Sequence, residues 1–304
     1  MLKLAIHGLG RWGERLVDSV KESERVRFVK VISRKHDYAA ELADPGVDGV
    51  VLATPHSQHA GQIVAAAKAR KHVFVEKPFT LTRASAQSAV DACRAAGVTL
   101  GAGFNRRYAP AFVEMLRRLR AGAIGELLHV EGQFSGSGGY RLKPDSWRAL
   151  RSESPGGAMT ARGVHVLDAM IAIAGPVASV VAFSERRKLA LDVDDVTVAL
   201  LRFAGGPTGY LASLYATGDL WRVQVFGSKG WLEMRSETEL VSCGLEGAPE
   251  TQAFSPANKE KAELEDFAAA VAAGKPGVVP AEEIVNCVAV LEAIVASAGK
   301  SVGL

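Results

Sequence analysis

The sequence has little of what marks several common protein classes. Its three cysteines, Cys93, Cys243 and Cys287, are far apart and include no C-x-x-C pair, which argues against a disulfide framework or a zinc site. No stretch approaches the roughly 20 apolar residues of a membrane span. The apolar run at the start is also too short for a signal peptide. We therefore expect a soluble, cytoplasmic protein with reduced thiols.

Charge of one sign is also scarce. The chain has 36 Lys and Arg against 33 Asp and Glu, a net charge of +3, which does not suggest a nucleic-acid or membrane-surface partner. Hydrophobic residues make up 48% and charged residues 23%, as in ordinary globular proteins. A length of 304 residues predicts two domains.

The first third of the chain alternates short apolar runs with helical patterns. Strands are predicted at 4–7, 26–32, 50–53, 72–75 and 99–102, and helices at 12–21, 63–69 and 83–96. The apolar runs are almost continuous, as expected for strands that are covered on both faces. This rhythm predicts a parallel sheet with crossover helices, a Rossmann-type α/β domain.

The pattern changes after a basic helix at 112–120 and a glycine turn at 122–125. Strands are predicted at 127–134, 177–184, 196–203, 209–215, 222–226 and 231–234, and helices at 158–174, 259–273 and 281–298. Short connections between the strands indicate an antiparallel meander. We therefore predict a first domain at 1–122 and a second at 123–304, with the closing helix packing back on the first. The Gly- and Ser-rich segment 135–154 is either a disordered loop or a lid.

A G-x-G-x-x-G motif, Gly8, Gly10 and Gly13, lies between the first strand and the first helix. Its glycines suit a tight turn, a close backbone approach to a pyrophosphate and close helix–strand packing. The helix predicted at 12–21 offers N–H groups and a partial positive charge to phosphates at its start, next to Arg11 and Trp12. The context predicts a dinucleotide site.

The end of the second strand indicates which dinucleotide is preferred. An acid is expected there for NAD, whereas a nearby Arg suits the 2′-phosphate of NADP. This chain has Ser33, Arg34 and Lys35 and no acid. A solvated turn is the alternative, but the missing acid favours NADP.

Three further segments, at 53–59 (ATPHSQH), 75–78 (VEKP) and 103–108 (GFNRRY), resemble the glucose-fructose oxidoreductase/inositol dehydrogenase (Gfo/Idh/MocA) family. The second half is similar too, in Trp147-Arg148 and in the stretch from Gly156 to His165. The resemblance implies a Rossmann domain followed by an α/β domain with an open, mostly antiparallel sheet, and catalysis between the two. It also implies NAD(P)-dependent hydride transfer to or from a secondary alcohol or ketone of a sugar, cyclitol, sugar acid or cyclic dihydrodiol.

The resemblance assigns roles to residues in the first domain. It places Lys77 beside the nicotinamide and the reacting oxygen, with Glu76 before it and a cis Pro78 after it. The residues that it places along the pyrophosphate and nicotinamide ribose are Thr54, Pro55, His56 and His59. The spacing His56-x-x-His59 also occurs in metal sites, but no third ligand is identifiable, so we predict no metal. The alternative for Lys77 is a surface lysine in a turn.

In the second domain the resemblance points to His165 as the acid/base. The family pattern has an Asp four residues before this His, where this chain has Ala161. Asp168 lies on roughly the same helical face. The other substrate candidates are Asn105, Arg106, Tyr140, Trp147 and Arg162. Arg106 and its neighbour Arg107 could instead form ion pairs between the domains. Because most of these residues are basic or aromatic, an anionic substrate is expected.

Two further expectations concern function and assembly. The missing carboxylate at Ala161 keeps open a second reading, a non-catalytic NAD(P)-binding sensor. An apolar sheet face carrying Val198, Leu200, Leu211 and Leu214 suggests a homodimer or homotetramer, because such a face needs a partner.

Overall fold

The computed structural model describes residues 1–297, which form two compact units. The first unit consists of Met1–Asn105 and Asn258–Val288, and the second of Arg106–Ala257 with the described residues from Ala289 onward. The division falls earlier in the chain than the expected boundary at residue 122. A late segment, Asn258–Val288, belongs to the first unit, so the closing helix is divided between the two units.

The first unit is built on a five-stranded parallel sheet with the strand order β2-β1-β3-β4-β5. The strands are β1 (Leu2–His7), β2 (Val26–Ile32), β3 (Gly49–Leu52), β4 (His72–Glu76) and β5 (Leu100–Gly103). The helices are α1 (Arg11–Ser19), α2 (Tyr38–Leu42), α3 (His59–Lys68), α4 (Arg83–Ala96) and, from late in the chain, α7 (Lys259–Ala272). The predicted Rossmann-type domain is confirmed.

Local sequence explains why these elements begin and end where they do. The side chain of Thr82 accepts a hydrogen bond from the Ser85 N–H at the start of α4, and Ser85 reciprocates in a capping box. Gly97 ends the same helix with φ +66°, a conformation that glycine adopts without a steric penalty. The prediction of a helix at 83–96 therefore matches the observed bounds.

The connection from β2 to β3 is short. Residues 33–48 contain the five-residue helix α2 and, within the described chain, no strand. Because the sheet order begins with β2, β2 is an edge strand, and Val29 and Val31 on it are exposed.

The second unit is built on an eight-stranded sheet with the order β13-β12-β11-β10-β6-β9-β8-β7. Its strands are β6 (Leu127–Ser135), β7 (Val177–Glu185), β8 (Val196–Phe203), β9 (Thr208–Leu214), β10 (Leu220–Gly227), β11 (Gly230–Ser236), β12 (Glu239–Gly244) and β13 (Glu250–Ala253). Its helices are α5 (Pro110–Arg120) and α6 (Val164–Ala174), and α8 (Ala281–Ser297) continues into it from the first unit. Residue 298 of the predicted last helix lies outside the described residues.

The pairing in this sheet is mostly antiparallel, as predicted, with one exception. β6 and β9 pair in parallel, with His129 opposite Thr208, so the strands are not a simple meander. The sequence also did not predict β12 and β13. All four residues of β13 are exposed, so the strand has no apolar alternation to detect.

One face of this sheet is covered by α6. A Cβ on Gly132 of β6 would collide with Val166 of α6, so glycine allows the helix to lie close to the strand. On the opposite face Val181, Phe183 and Leu200 are exposed. Leu211, which the sequence assigned to the exposed apolar face, is completely buried, because it alternates to the inner side of β9.

The segment 135–154 has a defined backbone rather than the disordered loop that was one of the two alternatives. It forms short 3₁₀ turns at Ser137–Arg141 and Trp147–Ala149. The Gly136 N–H donates to the Leu214 carbonyl at 2.9 Å, and the Gly139 N–H to the Tyr215 carbonyl at 2.8 Å. The segment is therefore tied to the end of β9.

Among the helices of residues 1–297, none combines the length and the hydropathy needed to cross a bilayer.

Candidate active site

Three glycines at the carboxyl end of β1 form a cradle. Gly8 has φ +99°, and a Cβ there would lie 2.5 Å from the Ala53 carbonyl oxygen, so a side chain has no room. A Cβ on Gly13 would press on the Gly8 carbonyl, so glycine lets α1 approach β1. Gly10 differs, because no atom of the described chain lies within 4 Å of its Cβ position. These are the three roles that glycines play around a bound dinucleotide.

The first turn of α1 completes the cradle. Gly10 is the N-cap residue, and within the described structure no side chain caps the helix. Its first N–H groups can therefore serve a phosphate. Arg11 is exposed and Trp12 half-buried, and the Arg15 guanidinium lies over the Trp12 ring, 5.4 Å from its centroid. The residues present fit a dinucleotide pyrophosphate.

The turn after β2 carries two cations. The Lys35 N–H donates to Ser33 Oγ, and the Ser33 N–H to His36 Nδ1, each at 3.3 Å. Arg34 and Lys35 are exposed. In the described part of the chain neither forms an ion pair with a carboxylate. The turn thus presents a hydroxyl and two cations.

The residues after β3 are less accessible than the sequence suggested. His59 is completely buried, with Nδ1 3.0 Å from the Pro78 carbonyl and Nε2 3.1 Å from the Thr54 carbonyl. The ring therefore braces two loops instead of contacting a cofactor directly. His56 is also buried, with its ring centroid 5.9 Å from that of His59. Among residues 1–297 no group of three His, Cys, Asp or Glu is arranged to hold a metal.

Lys77 follows β4 at the same edge of the sheet. The Lys77–Pro78 peptide bond is cis, and Lys77 is half-exposed. Because the carboxyl ends of parallel strands are where ligands bind in such sheets, Lys77 is well placed to meet one. Glu76 is buried, and its Oε2 accepts the Lys77 backbone N–H at 3.3 Å. Glu76 thus lies beneath the site rather than on its surface.

Three buried carboxyl groups lie under this edge. Glu76 on β4 is accompanied by Glu260 and Glu263 from α7. Glu260 accepts from Asn105 Nδ2 at 3.1 Å and pairs with Arg15 at 3.0 Å. Asn105 is buried, so it supports this cluster within the first unit rather than presenting its amide to a substrate.

Burial controls the protonation of the cluster. It raises the pKa of Glu76 to about 7. Burial, with the neighbouring carboxyl groups of Glu76 and Glu260, raises the pKa of Glu263 well above its usual range. Neither oxygen of Glu263 has a hydrogen-bond partner within residues 1–297. Since an unpaired buried carboxylate is costly, this environment favours the protonated form of Glu263.

In the second unit, Phe134 gathers several candidate residues around its ring. The Arg106 guanidinium lies 4.4 Å from the Phe134 centroid and 4.3 Å from that of Trp221. The Arg162 guanidinium lies 5.0 Å from the Phe134 centroid, and the ring of His165 lies 6.2 Å away. Phe134 thus brings two arginines and the candidate acid/base together.

Arg106 and its neighbour in the chain, Arg107, form ion pairs within the second unit. Arg106 pairs with Glu237, and Arg107 holds Asp168 through two nitrogens at 2.6 to 3.1 Å. The sequence analysis allowed Arg106 and Arg107 to form ion pairs between the domains. The ion pairs exist, but both lie within the second unit. Asp168 is buried and bound to Arg107, so it does not replace the carboxylate that is missing at Ala161.

Tyr140 and Trp147 both lie in the 135–154 segment. Tyr140 is exposed, and its hydroxyl donates to the Ala216 carbonyl at 3.4 Å. Trp147 is half-buried, with the Arg148 guanidinium 4.0 Å from its ring centroid. Both side chains remain accessible to a ligand.

Two family models match the chain. The model for the NAD-binding Rossmann fold of the oxidoreductase family matches residues 15–104. The model for the GFO/IDH/MocA C-terminal domain matches residues 112–233. The chain belongs to the GFO/IDH/MocA oxidoreductase family. The sequence resemblance is thereby confirmed, and the chain is an NAD(P)-binding oxidoreductase of that family.

Curated relatives support the assignment. The chain is 34% identical over 149 residues to scyllo-inositol 2-dehydrogenase (NAD(+)) of Bacillus subtilis, a match that spans 43% of this chain and 44% of that protein. It is 29% identical over 270 residues to D-xylose 1-dehydrogenase (NADP(+)) 2 of Haloferax volcanii, spanning 86% of this chain and 81% of that protein. The chain thus spans less than half of the first relative and about four fifths of the second.

A solved structure has the same fold. The crystal structure of a putative NADPH-dependent oxidoreductase from Desulfitobacterium hafniense superposes with a TM-score of 0.90 at 25% identity. The match covers 98% of this chain and 95% of that one.

Several residues around the GFO/IDH/MocA site were not identified from the sequence. Phe134 and Trp221 lie on neighbouring strands and pair directly across the sheet. As single aromatics in apolar runs they resemble core residues. Glu237 and Asp219 lie in turns that carry no motif. The sequence signal that could have found such residues is an aromatic residue close to basic ones. Of the aromatic residues, it identified only Tyr140 and Trp147.

The buried acids predict how stability depends on pH. A native carboxyl group with a raised pKa keeps its proton while the unfolded chain releases it, so stability falls as pH rises from about 4.5 towards the native value. Glu263→Gln removes one such group. We expect its Tm to exceed that of the wild type by about 2–4 °C at pH 8 and to match it near pH 4.5, as measured by calorimetry.

Asp266→Asn is the matched control on the same helix, because Asp266 is partly exposed. We expect it to leave the pH dependence of Tm unchanged. Equal pH profiles for Glu263→Gln and the wild type would contradict the raised pKa of Glu263.

Proposed function

We propose that the chain catalyses hydride transfer between NADP(H) and a secondary alcohol or ketone of a sugar, cyclitol, sugar acid or cyclic dihydrodiol. One observation carries the proposal: the open cradle at Gly10 and the half-exposed Lys77 lie at the same carboxyl edge of one parallel sheet. A cofactor bound at the cradle therefore has a cation at the end of β4, two strands away in the same sheet. The named relatives, which act on inositol and xylose, support the substrate class.

The chain's residues have distinct tasks in this proposal. Bound NADP supplies the hydride acceptor for oxidation, and the reduced form supplies the donor for the reverse reaction. The Lys77 ammonium polarises the substrate oxygen, which favours the alkoxide-like charge that develops there. His165 accepts the hydroxyl proton during oxidation and returns it during reduction. Gly10 and the first turn of α1 hold the pyrophosphate.

A sensor without turnover is the alternative that Ala161 keeps open. A sensor requires cofactor binding but neither a polarising lysine nor a proton acceptor, and this chain retains Lys77 and His165. The reported curated relatives are both named as dehydrogenases. The enzyme is therefore the better supported proposal.

Lys77→Met tests the enzyme directly. We expect kcat to fall by about 10²–10⁴-fold, the usual loss for a group that assists proton transfer, whereas the Kd for the cofactor changes little. The measurement is reduced-nicotinamide absorbance with a panel of polyols, dihydrodiols and keto acids, with calorimetry for the cofactor. Lys68→Met, on the exposed side of α3, is the control. Cofactor binding without turnover on any panel member would favour the sensor.

The preference for NADP rests on the turn after β2. Arg34 and Lys35 are exposed, and the acid that binds the ribose in NAD sites is absent. A guanidinium binds a phosphate through charge-assisted hydrogen bonds. The two relatives named above use different cofactors, NAD(+) and NADP(+), so the support comes from this chain's own residues.

Arg34→Ala should raise the Kd for NADP by about tenfold, the effect of losing one charge-assisted contact, and leave the Kd for NAD unchanged. Arg27→Ala, exposed near the opposite end of β2, should change neither value. Fluorescence titration of both cofactors provides the comparison. Tighter binding of NAD than of NADP by the wild type would refute the preference.

We also propose that the exposed face of the second unit's sheet pairs with another copy of the chain. Val181 on β7 faces Leu200 on β8, and Phe183 faces Val198, which gives one apolar strip across two strands. Light scattering at micromolar concentration should give a multiple of the single-chain mass, and Leu200→Glu should lower it. Leu245→Glu, at another exposed leucine of the same unit, is the control. A single-chain mass for the wild type would rule out this assembly.

A further inference from the structure

The second unit carries a cluster of cations that the proposed chemistry does not use. Tyr215, just after β9, is 7% exposed. Burial raises the pKa of its hydroxyl, whereas the guanidinium groups of Arg162, Arg148 and Arg141 favour the ionised form. The charges of three guanidinium groups therefore act on one phenol: Arg141 and Arg148 lie in the 135–154 segment, and Arg162 lies just before α6. We call these four residues the arginine cluster.

The backbone is shaped to bring these groups together. A Cβ on Gly138 would lie 2.7 Å from Tyr215 Cε2 and 3.2 Å from Arg162 Nη2, so the ring edge and the guanidinium border the same small space. The Gly139 N–H donates to the Tyr215 carbonyl at 2.8 Å. The turn Ser137–Arg141 is thus wrapped around Tyr215, and its last residue supplies one of the cations.

Three members of the cluster, Tyr215, Arg141 and Arg162, keep hydrogen-bonding capacity that the described structure does not use. The Tyr215 hydroxyl has no hydrogen-bond partner there, although nine tenths of the side chain is buried. Arg141 bonds through Nη1 to Ser137 Oγ at 2.9 Å and to no carboxylate of residues 1–297. Arg162 uses Nη1 for the Ser135 carbonyl and for Asp219, which leaves its Nε and Nη2 donors for a ligand.

The cluster is adjacent to the candidate acid/base. Arg162 precedes His165 by three residues, about one helical turn, and both lie around Phe134. Arg162 lies in a single turn of π-helix, Met159–Gly163, which leads into α6; such turns are often found at functional sites. One substrate molecule can therefore bind Arg162 through one group and place its hydroxyl near His165.

We propose that the arginine cluster binds a carboxylate of the substrate, so that the chain acts on sugar acids in preference to neutral sugars. This rests on the proposed function for the reaction, but the binding itself requires no turnover. A guanidinium fork matches the two oxygens of a carboxylate, and the Tyr215 hydroxyl supplies a further donor. With Ala161 in place of an acid, no carboxylate at that position repels the ligand.

Calorimetric titration tests the substrate class. The probes are D-gluconate, D-galactonate and D-glucuronate, the neutral D-glucitol, and D-glucitol 6-phosphate, each added to the full chain with and without NADP. We expect at least one carboxylate to bind about tenfold or more tighter than D-glucitol, as charge-assisted hydrogen bonds would produce. Equal affinities, no binding, or tightest binding of the phosphate ester would each overturn the proposal.

Variants separate a binding role from a structural one. Tyr215→Phe should weaken carboxylate binding severalfold without changing D-glucitol binding. Asp219→Asn should tighten carboxylate binding, because it removes the carboxylate that now competes for Arg162. If Arg162 only braced the loop, Asp219→Asn would leave the affinity unchanged or lower it, and that result would overturn the proposal.

Two controls complete the design. Arg162→Met should abolish the carboxylate preference, and its Tm shows whether the loop survives. Arg117→Met removes an exposed ion-paired guanidinium of α5 in the same unit and should leave all affinities unchanged. If the wild type binds carboxylates preferentially but shows no turnover, only the proposed reaction is contradicted. If it shows turnover but no preference for carboxylates in binding, only the carboxylate site is contradicted.

Discussion

The close approach of β1, α1 and the chain after β3 is the constraint on which the first unit depends. At Gly8 and Gly13 the backbone segments are too near for any side chain, so helix, strand and turn are locked in one arrangement. Only the position between these two glycines, Gly10, opens outward. The close contacts that pack α1 on the sheet therefore also leave the first N–H groups of α1 facing the open space at Gly10. Packing and anion binding are two results of one geometry.

Sequence patterns predicted the elements that obey simple rules. The strand at 26–32 and the helix at 83–96 match the observed bounds, because continuous apolar runs and a capping box are local signals. The roles of His59, Glu76 and Asn105 could not be predicted in this way. A motif shows that a residue lies near a site, but not whether its side chain faces a ligand or the interior. For Glu76 and Asn105 that depends on the glutamates of α7, more than 150 residues away along the chain. For His59 it depends on the carbonyls of Thr54 and Pro78.

The electrostatic character of the two units differs. The first keeps its unused carboxyl groups buried and favours the protonated form of Glu263, which limits the negative charge near Lys77. In the second, most acids near Phe134 are bound to arginines, as Asp168 is to Arg107. Substituting Ala161 for an acid next to Arg162 increases the positive charge at that helix. The departure from the family pattern is thus a shift in charge as well as the loss of one group.

The first unit is assembled from two distant parts of the chain. Its core joins Leu4 and Ile6 of β1 with Leu264 and Phe267 of α7, and the whole second-unit sheet is encoded between them. A ribosome therefore releases every strand of the sheet that follows before the apolar surface beneath β1 can be covered. During synthesis that surface stays uncovered until α7 has been made. Biogenesis of the first unit is thus tied to synthesis of the second unit's sheet, and a chain that stops before α7 would leave this apolar core uncovered.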